Sequence, residues 1–107
     1  MPETSTITDI ETQASVAEWA EETFGPVANQ SMLVTRAITE MDELLEAVQS
    51  HDKTEIGKET ADVVILLMRL LELNGLNLSL EVTSKMQENR ARKWIAKGDG
   101  TGKHIAT

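Results

Sequence analysis

The chain has 107 residues, a length that fits one domain, and we expect residues 1–107 to form a single domain. Its formal net charge of -8 argues against binding to duplex nucleic acid, because phosphate contacts require clustered Lys and Arg side chains. The absence of Cys excludes disulfides and thiolate metal sites, and no apolar stretch reaches the roughly 18 residues of a membrane span. We therefore expect a cytoplasmic protein with no membrane partner.

The distribution of apolar residues favours an all-α fold. Tyr is absent, there is one Phe, and no long stretch alternates apolar with polar residues as a half-buried strand would. The helical core must be small, since a domain of this length buries only about 60 to 65% of its unfolded surface. Association of several copies would cover more apolar surface, so we expect a homo-oligomer.

The first helix is predicted over residues 8–24, with Thr8 and Glu11 as a capping box at its start. Gly25 and Pro26 end this helix, because Gly suits the left-handed residue just past a helix and Pro cannot continue the hydrogen-bond ladder.

Two large aromatic residues lie in this first helix. Trp19 and Phe24 are candidates to stack on a planar base. Large aromatics in a small helical protein more often belong to the core, and the same alternative applies to Trp94. The sequence leaves both interpretations open.

The next two helices are predicted over residues 31–50 and 53–74, separated by a short turn at His51 and Asp52. Ser31 is expected to cap the first of them with its hydroxyl group. The apolar run 61–68 leaves little of the following helix to face water, so that helix should be central. The predicted buried stripe of the helix over residues 31–50 consists of Val34, Ala37, Ile38, Met41, Leu44, Leu45 and Val48.

A fourth helix is predicted to begin near Asn77 or Ser79. Its apolar anchors are Leu80, Val82, Met86 and Trp94. Short turns between long helices favour an antiparallel four-helix bundle. Residues 96–107 are rich in Gly and are expected to form a mobile tail.

Two pairs of acidic residues lie in the second and third helices. Glu40 and Glu43, and likewise Glu59 and Asp62, are three residues apart and therefore share one helix face. Carboxylates that approach an apolar core are usually paired, protonated or bound to a cation, and Mg²⁺ prefers such oxygen ligands. The alternative for Glu40 and Glu43 is an ordinary solvated face.

The fourth helix carries Lys85, Asn89 and Arg92 at spacings of four and three, which places two cations and an amide on one face. Such a face suits phosphate oxygens, because Lys supplies a point charge and Arg a planar fork of donors. The alternative is a set of surface salt bridges to Glu81 and Glu88.

These motifs occur in a specific order. They are Trp19 with Phe24-Gly25, Glu40-x-x-Glu43-Leu44 with Ala47, Glu59-x-x-Asp62-Val63, Ser84-Lys85-Met86, Asn89-Arg90-x-Arg92 with Trp94, and Asp99-Gly100-Thr101-Gly102-x-His104. In this order they resemble the MazG-like, all-α nucleoside triphosphate pyrophosphohydrolase superfamily, especially its small phage and bacterial members. The resemblance spans most of the chain. One departure is Met41, where many members have a second acid.

The resemblance implies a MazG-like helical bundle completed by assembly into a homodimer or homotetramer. It implies Mg²⁺-dependent cleavage of a nucleoside or deoxynucleoside triphosphate into the monophosphate and pyrophosphate, with Mn²⁺ as a possible substitute ion and nucleotide-pool housecleaning as the role. By the same resemblance the catalytic and metal-binding residues are Glu40, Glu43, Glu59 and Asp62. The implied substrate-binding residues are Lys85, Asn89 and Arg92, to which the aromatic candidates Trp19 and Phe24 are added.

Two alternatives stay open at this point. A phosphoribosyl-ATP pyrophosphatase of histidine synthesis belongs to the same superfamily and would differ in its substrate. A catalytically silent helical module would bind a nucleotide or a protein partner without releasing pyrophosphate.

Overall fold

The computed structural model describes residues 9–105 and confirms the all-α prediction. Its elements are the helices α1 (Gln13–Phe24), α2 (Ser31–Gln49), α3 (Lys53–Leu73) and α4 (Leu78–Ala91) and the strands β1 (Trp94–Ala96) and β2 (Gly102–His104). The chain divides into two compact units, Met1–Asn77 and Leu78–Thr107. The first unit holds α1, α2 and α3, and the second holds α4 and both strands.

The start of α1 differs from the prediction. Thr8 lies outside the described residues, and the described helix begins at Gln13 with a capping box formed by Thr12 and Ser15. The Thr12 hydroxyl accepts from the Ser15 backbone N–H at 3.0 Å, and the Ser15 hydroxyl accepts from the Thr12 backbone N–H at 2.8 Å. The end of α1 is as predicted, since Gly25 has a φ of 82° and its N–H donates to the carbonyl of Glu21.

The predicted cap of α2 is wrong, because the N-cap position is Gln30, which makes no side-chain capping hydrogen bond. Ser31 is the first helical residue, and its backbone N–H and hydroxyl both donate to the Asn29 side-chain oxygen, at 3.0 and 2.7 Å. The side chain of Asn29, and not that of Ser31, therefore accepts a hydrogen bond from a free backbone N–H at the start of α2. After α2, Asp52 caps α3 by accepting from the backbone N–H of Glu55 at 3.1 Å.

In the first unit α3 packs against both α1 and α2, which confirms the prediction that it is central. The connection between α2 and α3 is short, so these two helices form an antiparallel hairpin. The core between the helices is built mainly from small side chains, and no large side chain in the described part of the chain is completely buried. The buried apolar residues are Ala17, Ala20, Leu33, Ala37, Ala47 and Val63.

The predicted buried stripe of α2 is mostly wrong. The α2 residues that are buried are Leu33, Ala37 and Ala47. The predicted residues that are instead exposed, by 43% to 59%, are Val34, Ile38, Met41, Leu45 and Val48. The predicted stripe combined residues from two neighbouring faces of α2. The residues of one face follow those of the other by one position, which corresponds to a rotation of about 100° around the helix. Only one of these faces contacts α3 within a single chain.

In the second unit, residues 94–104 form an antiparallel hairpin. The sequence predicted an unstructured tail from residue 96 and assigned Trp94 to the fourth helix, but that helix ends at Ala91 and Trp94 begins β1. Trp94 pairs with His104 and Ala96 with Gly102. Gly98 and Gly100 make the turn possible, with φ values of 93° and 94° that favour glycine. The Gly content therefore serves a tight turn, and the prediction for this segment is wrong up to Ile105.

Among residues 9–105, no single helix is long and apolar enough to cross a membrane, and only α3 and α4 counted together pass that test, by length and composition alone.

Candidate active site

Three of the four predicted acidic residues converge in the first unit. Carboxylate oxygens of Glu40, Glu43 and Glu59 all lie within 4.8 Å of one another. Glu40 and Glu59 are half-buried, whereas Glu43 is exposed. Glu40 belongs to the α2 face that carries the buried Ala37 and Ala47, so this face directs it toward α3.

Electrostatics within this cluster oppose full ionisation. Burial raises the pKa of Glu59 above its ordinary value, and the negative charges of Glu43 and Asp62 raise it further. The pKa of Glu40 is raised by burial first and then by Glu43 and Asp62, while the positive charge of Arg36 opposes this shift. Four carboxylates thus act on one another across α2 and α3. Asp62 takes part electrostatically, although it is exposed and lies outside the closest group of three.

The cluster fits a divalent cation by its own properties. Its donors are all carboxylate oxygens, which suit hard cations. Glu59 Oε1 is buried and has no hydrogen-bond partner within the described residues. A buried charged oxygen without a partner is costly, and a cation would remove that cost. Glu40, Glu43 and Glu59 are the residues that could hold the ion.

A cavity of about 410 Å³ lies next to the acidic cluster along the same helices. It falls within the range of about 300 to 1,000 Å³ that is usual for small-molecule sites. Its lining includes Arg36, one helical turn before Glu40, and Leu66, one turn after Asp62. The cavity and the carboxylates are therefore neighbouring parts of one surface.

Trp19 and Phe24 both line this cavity. Their rings form an edge-to-face pair with centroids 5.5 Å apart, and they are 55% and 68% exposed. Neither ring is a core residue of the single chain. An exposed aromatic pair on a cavity wall offers a flat apolar surface that can stack on a planar ligand.

The predicted phosphate-binding residues lie in the second unit, where two of them form ion pairs with the same glutamate. Lys85 Nζ and Arg92 Nη2 both contact the Glu88 carboxylate, at 3.1 and 2.8 Å. The hydrogen bond from Lys85 lowers the pKa of Glu88, and the charge of Arg92 lowers it further. The Asn89 carbonyl accepts from the Trp94 indole N–H at 2.7 Å. Of the salt bridges considered as the alternative, those to Glu88 are present.

Comparison with known proteins connects these features to a family. The model of the phosphoribosyl-ATP pyrophosphohydrolase family, which is MazG-like, matches residues 16–90. A solved structure described as "Cyanophage S-2L MazG-like pyrophosphohydrolase bound to dGDP and three catalytic Mn2+ ions per active site" superposes with a TM-score of 0.71 at 29% identity. The superposition covers 89% of this chain and 90% of that one.

The chain belongs to the MazG-like pyrophosphohydrolase family. It is therefore a hydrolase that acts on phosphoric anhydrides. Over 95 residues it is 31% identical to a dATP/dGTP diphosphohydrolase of Cyanophage S-2L, covering 89% of this chain and 86% of the relative. A dATP/dGTP diphosphohydrolase of Salmonella phage PMBT28 is 31% identical over 102 residues, but this chain spans only 32% of that relative's length.

Sequence reasoning missed two cations of this MazG-like site. Arg36 lies close enough to Glu40 to act on its pKa, and Arg69 is buried in the wall of the cavity. The spacing of Arg36 and Glu40, four residues apart on one helix, was a usable signal. Arg69 was signalled by its position between the apolar run 61–68 and Leu70, where a charged residue requires a partner.

Glu59→Gln should raise the melting temperature of the metal-free protein at neutral pH. The folded-state pKa of Glu59 is raised above its ordinary value of 4.5. Its contribution to stability is therefore present below pH 4.5 and is lost as pH rises through the folded-state pKa. Glutamine carries no charge, so the variant does not lose this stability as pH rises. The difference in melting temperature between the variant and the wild type should therefore decrease toward about pH 4. Thermal unfolding of both proteins in EDTA between pH 4 and pH 8 measures the difference. A variant less stable than the wild type at pH 7 would contradict the prediction.

Proposed function

We propose that this chain hydrolyses a purine deoxynucleoside triphosphate to the monophosphate and pyrophosphate, with Mg²⁺ as its principal metal ion. The observation that carries the proposal is the convergence of three carboxylates beside a cavity of about 410 Å³ with an aromatic wall. The names of the two phage relatives, dATP/dGTP diphosphohydrolases, favour purine deoxynucleotides. The Mn²⁺ ions bound to the related cyanophage protein favour a divalent metal, and Mn²⁺ is expected to substitute for Mg²⁺.

Each group of residues has a distinct part in this proposal. The residues that would hold the metal ion are Glu40, Glu43, Glu59 and Asp62. When bound, the ion would supply screening of the phosphate charge and a lower pKa for the attacking water. A carboxylate oxygen of the cluster that does not contact the cation would accept the proton of that water. Trp19 and Phe24 would stack on the base.

The assignment of substrate binding to Lys85, Asn89 and Arg92 stays a prediction. A triphosphate would offer Lys85 and Arg92 more negative charge than the single Glu88 carboxylate they now contact. These surface ion pairs are weak, so they would exchange readily for phosphate contacts.

We also propose that the working unit is a homodimer or homotetramer. The supporting observation is the second face of α2, where Val34, Ile38, Met41, Leu45 and Val48 follow spacings of four and three and are all exposed. Such a stripe is typical of a helix that packs against another helix. We expect the enzyme to act in the cytoplasm, where it would remove nucleotides from the free pool.

A substrate panel tests the proposed reaction. The protein is incubated with Mg²⁺ or Mn²⁺ and separately with dATP, dGTP, dCTP, dTTP or phosphoribosyl-ATP, and pyrophosphate and monophosphate are measured. We expect both products from dATP and dGTP, and no release in EDTA, because the phosphates then lack a counter-charge. A heat-denatured sample is the control for background hydrolysis.

Two other outcomes would replace the proposal. The family model that matches residues 16–90 is named for phosphoribosyl-ATP pyrophosphohydrolase, so strong preference for phosphoribosyl-ATP would assign that activity instead. A rise in melting temperature with metal and dGTP, without pyrophosphate from any compound of the panel, would indicate a binding module.

A further inference from the structure

Arg69 is the only charged side chain that is buried in the described part of the chain, at 7% exposure. Its Nη2 donates to the Gly25 carbonyl at 2.6 Å and to Glu21 Oε1 at 3.3 Å. Its Nε is buried without a hydrogen-bond partner. The guanidinium thus extends from α3 to the last turn of α1 and to the residue that ends that helix.

The segment held by Arg69 forms one wall of the cavity. Gly25 is the cap of α1, and the chain turns there with a φ of 82°. Phe24 and residues 26–28 on either side of this cap line the cavity, as does Arg69 itself. Phe24 in turn contacts Trp19 edge to face. The guanidinium therefore fixes the backbone from which the aromatic wall extends.

A buried guanidinium is a costly way to pack a helix. Removing the charge from water costs free energy, and leaving Nε–H unpaired adds to that cost. Replacement of a complete buried ion pair by apolar side chains is often neutral or stabilising, so stability alone does not explain a charged residue at position 69. A role for Arg69 in fixing the cavity wall, and not in stabilising the fold, accounts for this buried guanidinium.

We propose that Arg69 is a positioning residue that sets the base-binding geometry of the aromatic wall, and through it the preference of the enzyme among bases. This inference rests on the proposed function. Arg69 acts through Gly25 and Phe24 and not on the phosphates, because it is bonded to the wall and buried. Substitution should therefore weaken substrate binding and base discrimination while sparing the metal and the chemical step.

Gln13 provides a matched control. It is also buried, at 8% exposure, and its side-chain amide also joins α1 to α3, donating to Glu72 Oε1 and to the Leu76 carbonyl at 2.8 Å each. Gln13 lies at the opposite end of α1 and does not line the cavity of about 410 Å³. Loss of its contacts should destabilise the same helix pair without moving the aromatic wall.

The experiment compares Arg69→Met, Arg69→Lys and Gln13→Leu with the wild type. KM and kcat are measured for dGTP and dTTP, Mn²⁺ affinity is titrated, and melting temperature is recorded. For Arg69→Met we expect KM for dGTP to rise about tenfold, the effect of losing one charge-assisted hydrogen bond, with kcat at saturation within about threefold. The ratio of kcat/KM for dGTP over dTTP should fall, and Mn²⁺ affinity should not change.

Arg69→Lys keeps the charge but replaces the planar guanidinium, whose Nη2 donates to both Gly25 and Glu21, with a freely rotating ammonium group. Its KM should therefore lie between those of the wild type and Arg69→Met. Gln13→Leu should lower the melting temperature while leaving KM and base preference unchanged. An unchanged KM and base preference in folded Arg69 variants would overturn the inference, as would an equal KM rise in Gln13→Leu. Failure of both Arg69 variants to fold would also overturn it, since the residue would then serve the fold. A wild type that releases no pyrophosphate would instead reject the proposed function.

Discussion

Glu59→Gln is expected to lower the rate of pyrophosphate release about 100-fold or more while the protein stays folded. Glu59 is half-buried at the centre of the acidic cluster, with an oxygen that has no partner within the described residues. Glutamine preserves the shape of the side chain but removes the negative charge that attracts a cation. Stabilisation of phosphate charge by a metal is worth several kcal/mol, which sets the size of the expected loss.

The measurement is kcat for dGTP at saturating Mg²⁺, combined with a Mn²⁺ titration followed by melting temperature. Glu22→Gln, an exposed substitution on α1, is the control and should retain normal activity. Glu59→Gln is also expected to stabilise the metal-free protein at pH 7, so its melting temperature should distinguish a loss of activity from unfolding. Turnover within a few-fold of the wild type would reject Glu59 as part of the metal site.

The sequence predicted those features of the structure that local chemistry determines. Gly25 ends α1 because its left-handed conformation favours glycine, and the short turn predicted at His51 and Asp52 separates α2 from α3. The acidic residues were found by the same reasoning, since a spacing of three places two carboxylates on one face whatever the tertiary structure. That three of them meet was not predictable from spacing alone, because it depends on how α2 and α3 pack.

The errors lie where the environment of a residue depends on distant parts of the chain. Periodicity showed that α2 is apolar on one side, but it could not separate the face that contacts α3 from the face that stays exposed. The acidic residue at helical spacing from Arg69 is Glu72, whereas its bonds in the structure go to Glu21 and Gly25, which lie 48 and 44 residues away. Residues 96–104 were interpreted from Gly content, which does not distinguish a flexible tail from the tight turn of a hairpin.

Ile38→Asp is expected to convert the proposed oligomer to a monomer, raising the dissociation constant on the order of 100-fold or more. Ile38 is 59% exposed in the single chain, so the substitution places no charge in the core of one copy. In an oligomer the same position would be buried, and an unpaired carboxylate at a helix contact costs several kcal/mol. A symmetric interface contains the substitution on both sides, which increases the cost.

Thr35→Asp is the matched control, because it adds the same charge to an exposed position of α2 outside the apolar stripe. Molar mass from light scattering during size-exclusion chromatography should fall for Ile38→Asp and stay unchanged for Thr35→Asp. Activity measured on the same samples shows whether the assembled state matters for catalysis, since Glu40 and Glu43 lie on the same helix as the stripe. A wild type that is monomeric at micromolar concentration, or an Ile38→Asp variant of unchanged mass, would show that this face of α2 does not join two copies.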